Sequence, residues 1–136
     1  MRGHEHALSL LALAHDDLKA SRVMARGVED FSDAIFGFHI QQAIEKSFKA
    51  WLSALKLEYP KTHELHRLLV LLEESGVAIE QFYWVEEFNP FAVQFRYETS
   101  QWDEPLDRNQ AVAWASELLD HVTQQVALIV VQEPTP

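Results

Sequence analysis

Apolar residues recur along this chain at intervals of three and four, the period of a helix with one buried face. In residues 5–26 the stripe is Leu8, Leu11, His15, Leu18 and Arg22, widened by Leu10, Leu13, Ala14 and Met24. Gly27 is placed to stop this first helix. Ser32 or Asp33 can cap a second helix reaching about Leu57. Pro60 disfavours helical backbone at Tyr59 and so breaks the chain there. Thr62 is then the expected cap of a third helix over 63–75, striped by Leu65, Leu68, Leu69 and Leu72 and closed by Gly76. A last helix is predicted from about Pro105, a residue suited to a first turn, to about Val131. Its buried side is read as Ala111, Ala115, Leu118, Leu119, Val122, Val126, Ile129 and Val130.

The second helix carries two patterns. Phe36, Ile40, Ala43, Ile44, Ser47, Trp51, Ala54 and Leu55 mark one apolar side. Another side begins at Phe38, passes through Gln42, Glu45 and Lys49, and ends at Leu52. A helix that is apolar on more than one face is expected to be central, with neighbours on two sides.

Residues 77–104 are harder to read. Ile79 to Phe88 suits one helix or two short pieces, Asn89-Pro90 suits a turn, and 92–97 is readable as helix or as a strand. Eight of the 15 aromatic residues fall here: Phe82, Tyr83, Trp84, Phe88, Phe91, Phe95, Tyr97 and Trp102. They suit the end of a bundle or a subunit interface, where aromatic side chains serve as anchors.

The fold class that follows is all-α: an antiparallel up-and-down bundle of four main helices plus a short helical, aromatic segment. A single domain over 1–132 with a flexible tail at 133–136 is expected. With 136 residues and 48% hydrophobic content, the chain can bury one core. The absence of cysteine excludes disulfides, thiolate metal sites and a cysteine nucleophile, and fits a cytoplasmic setting. The first residues do not read as a signal peptide, and no apolar run is long enough for a membrane span.

A formal net charge of −10 makes general nucleic-acid binding a poor expectation, since that needs Lys and Arg facing phosphates. The charge is uneven. Residues 41–70 hold five Lys and Arg against three Glu. That local surplus reads as a phosphate or acidic-partner face or, more simply, as a mixed solvated face.

The second helix contains Phe38-His39-Ile40-Gln41-Gln42-Ala43-Ile44-Glu45-Lys46-Ser47-Phe48-Lys49-Ala50. This stretch resembles the second-helix signature of HEPN domains, a Gln-Gln-Ala-x-Glu-Lys-x-x-Lys-Ala run. Three further stretches agree in order: Ala14 to Ala20 with the first-helix motif, Thr62-His63-Glu64-Leu65 with the opening of the third helix, and Arg96-Tyr97 with the pair before the last helix. The likeness covers about residues 8–122. It implies a helical bundle, commonly dimeric, often encoded beside a minimal nucleotidyltransferase and acting with it as toxin and antitoxin. Several HEPN branches are metal-independent ribonucleases with an arginine followed, after four to six residues, by a histidine. Here the window after Arg96 holds Gln101, Trp102 and Asp103, and that after Arg108 holds Ala113, Trp114 and Ala115. No catalytic residue is therefore assigned.

The candidate ligand-binding residues, for a nucleotide or phosphate, are Gln42, Glu45, Lys49, His63, Arg96 and Tyr97. Glu45 and Lys49 stand in the favourable i, i+4 order for an ion pair. Under cover they must form a satisfied network, and this brings two readings: a brace between helices, or a pocket with Lys49 on phosphate and Gln42 on a base. His63 fits a first helical turn as a capping residue or a hydrogen-bond partner of Glu45. No metal and no cofactor is expected, because His4-x-His6 sits on a terminus expected to fray and His63-x-x-His66 lacks a third ligand. The expected function is a binding and assembly protein: a homodimer partnered with a minimal nucleotidyltransferase. The alternatives are a HEPN ribonuclease with a degenerate motif and a stand-alone nucleotide sensor.

Overall fold

Two long helices form the spine of the molecule. In the computed structural model, which describes residues 2–27, 29–91 and 106–132, α1 spans Arg2–Arg26 and α2 spans Asp33–Ala54. They run antiparallel: Asp17 in α1 bonds His39 and Lys46 in α2, and the start of α1 lies beside Ser53. The buried stripe of α1 is Ala7, Leu11, Ala14, Leu18, Ser21 and Met24; Leu11, Ala14, Leu18 and Met24 are as expected, and Ala7 and Ser21 take the places of Leu8 and Arg22. Leu8 is 55% exposed and His15 and Arg22 are exposed, because the small residues Ala7, Ala14 and Ser21, seven apart, let α1 lie close on α2. Along α2, Phe36, Ala43 and Ala50, also seven apart, are buried, as are Ile40, Ser47 and Ala54, each four residues further on. The buried hydroxyls are satisfied within their own helices, Ser21 donating to the Asp17 carbonyl and Ser47 to that of Ala43.

Ser32 caps α2, its hydroxyl accepting from the Ile35 amide at 3.1 Å. The helix ends at Ala54, three residues before the expected Leu57. Lys56 takes φ 62°, while Leu57 N–H donates to Leu52 and Lys56 N–H to Ser53. This is a Schellman closure with lysine where glycine is usual, so no sequence signal marked the stop. The closure of α3 (Leu65–Glu74) is the same motif with Gly76 at φ 101°.

Three residues expected inside the third helix, His63, Glu64 and Ser75, lie outside it. Thr62 accepts from Glu64 N–H, and α3 starts at Leu65, whose amide donates to the side chain of Asn89, 2.7 Å away. Leu65, Leu68, Leu69 and Leu72 are all buried, as the stripe predicts.

Residues Glu80–Phe88 form a 3₁₀ helix of nine residues. The physical reason is a strict three-residue repeat, Ile79, Phe82, Val85, Phe88 and Phe91, every member buried. Three residues per turn keep such a repeat on one face, which the α-helical 3.6 does not. The last helix, α4 (Arg108–Gln132), buries Ala111, Ala115, Leu118, Leu119, Val122 and Val126, while Ile129 and Val130 are half-buried. Asp107 accepts from the Gln110 amide, and the helix starts at Arg108, three residues after the expected start near Pro105. Arg22 reaches Ser116 and Arg108 reaches Met24, so α4 is antiparallel to α1. It runs in the same sense as α2, since Arg108 meets Asp33 and His121 meets Trp51. No described helix is long and apolar enough to cross a membrane. The tail 133–136 and the suggested strand at 92–97 lie outside the described residues.

Candidate functional site

Glu45 sits at the middle of α2, 4% exposed, and its carboxylate is fully engaged. Oε1 accepts from Gln41 Nε2 at 3.0 Å and from His63 Nδ1 at 2.9 Å. Oε2 accepts from Lys49 Nζ at 3.0 Å. Burial pushes the Glu45 pKa up, but the hydrogen bonds from Gln41, His63 and Lys49 and the Lys49 charge outweigh it and hold the group below the usual glutamate range. Three of the expected residues, Glu45, Lys49 and His63, therefore converge.

Gln42 does not reach the carboxylate. Its Nε2 donates to Gln41 Oε1 at 2.7 Å, one residue removed. Gln41 is the member that sequence reasoning missed. It is fully buried, and its Nε2 donates both to Glu45 and to the His63 carbonyl at 3.0 Å. The signal available was the i, i+4 spacing of Gln41 and Glu45 on the same turn-to-turn row. Together these bonds tie the middle of α2 to the segment leading into α3. Lys49 also lies over the Tyr59 ring at 5.8 Å, so its charge is shared between an acid and an aromatic face. Arg96 and Tyr97 lie outside the described residues.

A second polar group bridges α1 and α2. Asp17 accepts from His39 Nδ1 at 3.0 Å and from Lys46 Nζ at 2.5 Å. His66 in α3 pairs with Glu86 in the 3₁₀ helix. His63 and His66 thus take separate acids, Glu45 and Glu86.

A further polar group joins the start of α4 to α1 and α2. Arg108 is 7% exposed at the first turn of α4. Its Nε donates to Asp33 Oδ1 at 3.0 Å, Nη1 to the Met24 carbonyl at 3.2 Å, and Nη2 to the Phe31 carbonyl at 2.6 Å. The guanidinium also stacks over Phe36 at 5.3 Å. One side chain therefore joins the end of α1, the following loop and the starts of α2 and α4. With its donors directed into the protein, Arg108 is a fastener of the fold and not a phosphate ligand.

Antiparallel packing of α1 on a central α2, the Gln-Gln-Ala-x-Glu-Lys row that braces α3, and a last helix locked by its first turn define an all-helical domain of one class. The family model described as HEPN domain matches residues 7–125. The chain belongs to the HEPN domain family. No curated protein and no solved structure gave a match.

Proposed function

We propose that this chain is a HEPN binding and assembly protein, a homodimer that engages a minimal nucleotidyltransferase in a toxin–antitoxin-like pair. The observation that carries this reading is the state of its cations. Lys49 is paired with Glu45, Lys46 with Asp17, and Arg108 with Asp33 and two carbonyls. A side chain already held by a buried acid must give up that bond before it can hold a phosphate, which costs more than a solvated lysine would lose. The polar row of α2 is therefore best understood as a brace that keeps the domain rigid for docking. Nucleotide binding at the rim of this row, through Lys49, Gln42 and His63 with Arg96 and Tyr97, is a narrower reading that requires Lys49 to exchange Glu45 for the ligand.

The test is co-expression with a nucleotidyltransferase encoded in the adjoining reading frame. A stable complex that co-purifies through an affinity tag on either chain is the expected result. RNA cleavage and growth arrest on induction of this chain alone, abolished by Arg96→Ala, would overturn the reading in favour of a ribonuclease.

A further inference from the structure

Between the 3₁₀ helix and α4 lies a cleft of about 230 Å³ with aromatic walls. Trp84 and Trp114, both half-buried, stack with centroids 5.2 Å apart and 31° between planes. Deeper in, Phe82 packs on His121 at 5.6 Å, and His121 in turn packs on Trp51 at 5.5 Å. Gln81, Leu118 and the exposed Glu117 complete the lining.

The surroundings carry one sign of charge. Residues 80–91 and 109–132 contain five acids, Glu80, Glu86, Glu87, Glu117 and Asp120, and no lysine or arginine. All five acids are exposed. Arg22 approaches α4 at Ser116, about 160° around the helix from Trp114 at 100° per residue, and so on another side.

The geometry points to this cleft as a docking site for an arginine side chain from a basic segment of a partner protein. The match is one of charge and shape. A guanidinium is planar, stacks on indole faces, and pairs in a fork with a carboxylate. The Trp84–Trp114 pair supplies an aromatic wall on the cleft side and Glu117 the acid, within a field that draws cations and repels phosphates. Lysine shares the charge but lacks the plane, so arginine is the occupant that uses both features. The assignment rests on the cleft alone and stands whether or not the partner is a nucleotidyltransferase. Loss of co-purification with that enzyme leaves it untouched, and the peptide experiment below leaves the proposed function untouched.

The probe is a synthetic peptide of Arg-Gly-Gly repeats, titrated at 25 °C in about 0.15 M salt, a strength that screens contacts beyond about 8 Å. A matched peptide with neutral citrulline replacing each arginine is the control. Tryptophan fluorescence and the indole N–H resonances report binding. The arginine peptide should give a saturable change and the citrulline peptide none. Trp114→Leu should weaken binding about tenfold, and the surface change Glu117→Gln about threefold or more. Glu117→Gln keeps the test decisive should Trp114→Leu fail to fold. Equal binding of the two peptides, no saturable change up to millimolar peptide, or wild-type affinity in both variants overturns the assignment. So does a solution mass that halves in Trp114→Leu, because a second copy would then be the occupant.

Discussion

A buried carboxylate loses its hydration, and Glu45 recovers that loss through three donors on two different segments. The balance makes the brace depend on acid. Because the folded pKa of Glu45 lies below its unfolded value, its contribution is present above the ordinary glutamate pKa of about 4.3 and is lost as pH falls through the lower folded value. Glu45→Gln should therefore flatten the acid limb of a stability–pH profile below about pH 4. Removal of the acceptor altogether in Glu45→Ala, which strands Gln41 and Lys49, should cost roughly 2–3 kcal/mol in urea denaturation at neutral pH. Arg108 sets a steeper case. Arg108→Ala removes the charged partner of Asp33 and the donors to two carbonyls and should cost ~3 kcal/mol or more, and Arg108→Lys should recover only part of it, because one ammonium cannot replace a fork aimed at three acceptors. Calorimetric melting of the two variants checks the order. Glu45, Lys49 and His63 were legible in the sequence because two of them share a helix row and the third opens the next segment. Gln41 was passed over for its neighbour Gln42, since one turn position decides which of two glutamines points inward. The Arg108–Asp33 bond was illegible, as its partners are 75 residues apart.

Elements were read well where one period dominates and poorly where another competes. The leucines of α3 and the Ala/Leu/Val face of α4 came directly from a 3.6-residue repeat. In α1 the large Leu8 outweighed Ala7 as a marker of the buried face, although close helix packing favours the smaller residue. Ile79 to Phe88 was readable as one helix or two short pieces, and the three-fold spacing of Ile79, Phe82, Val85, Phe88 and Phe91 is the signal for 3₁₀ structure. Among the described aromatic residues of this region, Phe82, Phe88 and Phe91 fill the core, while Tyr83 is 54% exposed. Phe91 packs directly on the backbone of Gly37 in α2, where an added Cβ would meet the ring at 2.2 Å. Alanine normally stabilises a helix over glycine by about 1 kcal/mol. Gly37→Ala should do the reverse, lowering stability by roughly 1–3 kcal/mol as the ring is displaced. A variant as stable as the wild type in urea would contradict this packing.

Across the whole molecule, polar bonds join what the apolar core brings together. Asp17 links α1 to α2, Glu45 links α2 to the start of α3, Glu86 links α3 to the 3₁₀ helix, and Arg108 links α4 back to α1 and α2. Every consecutive pair of described elements up to the 3₁₀ helix thus has a directed contact, and α4 closes the set. A domain braced in this way suits assembly, in which a rigid surface loses little entropy on docking. Exposed apolar side chains remain on α1 at Leu8, Leu13 and Val23 and on α4 at Leu128 and Val131. The all-helical class and the HEPN family were legible before the fold was seen, because four short motifs kept their order along the chain. The partner was not legible, for its recognition depends on surface placement rather than on periodicity. The most direct measurement is the light-scattering mass of the purified protein at micromolar concentration. A homodimer, at twice the chain mass of 15.7 kDa, is the expected result. A single species at 15.7 kDa across that range would contradict it.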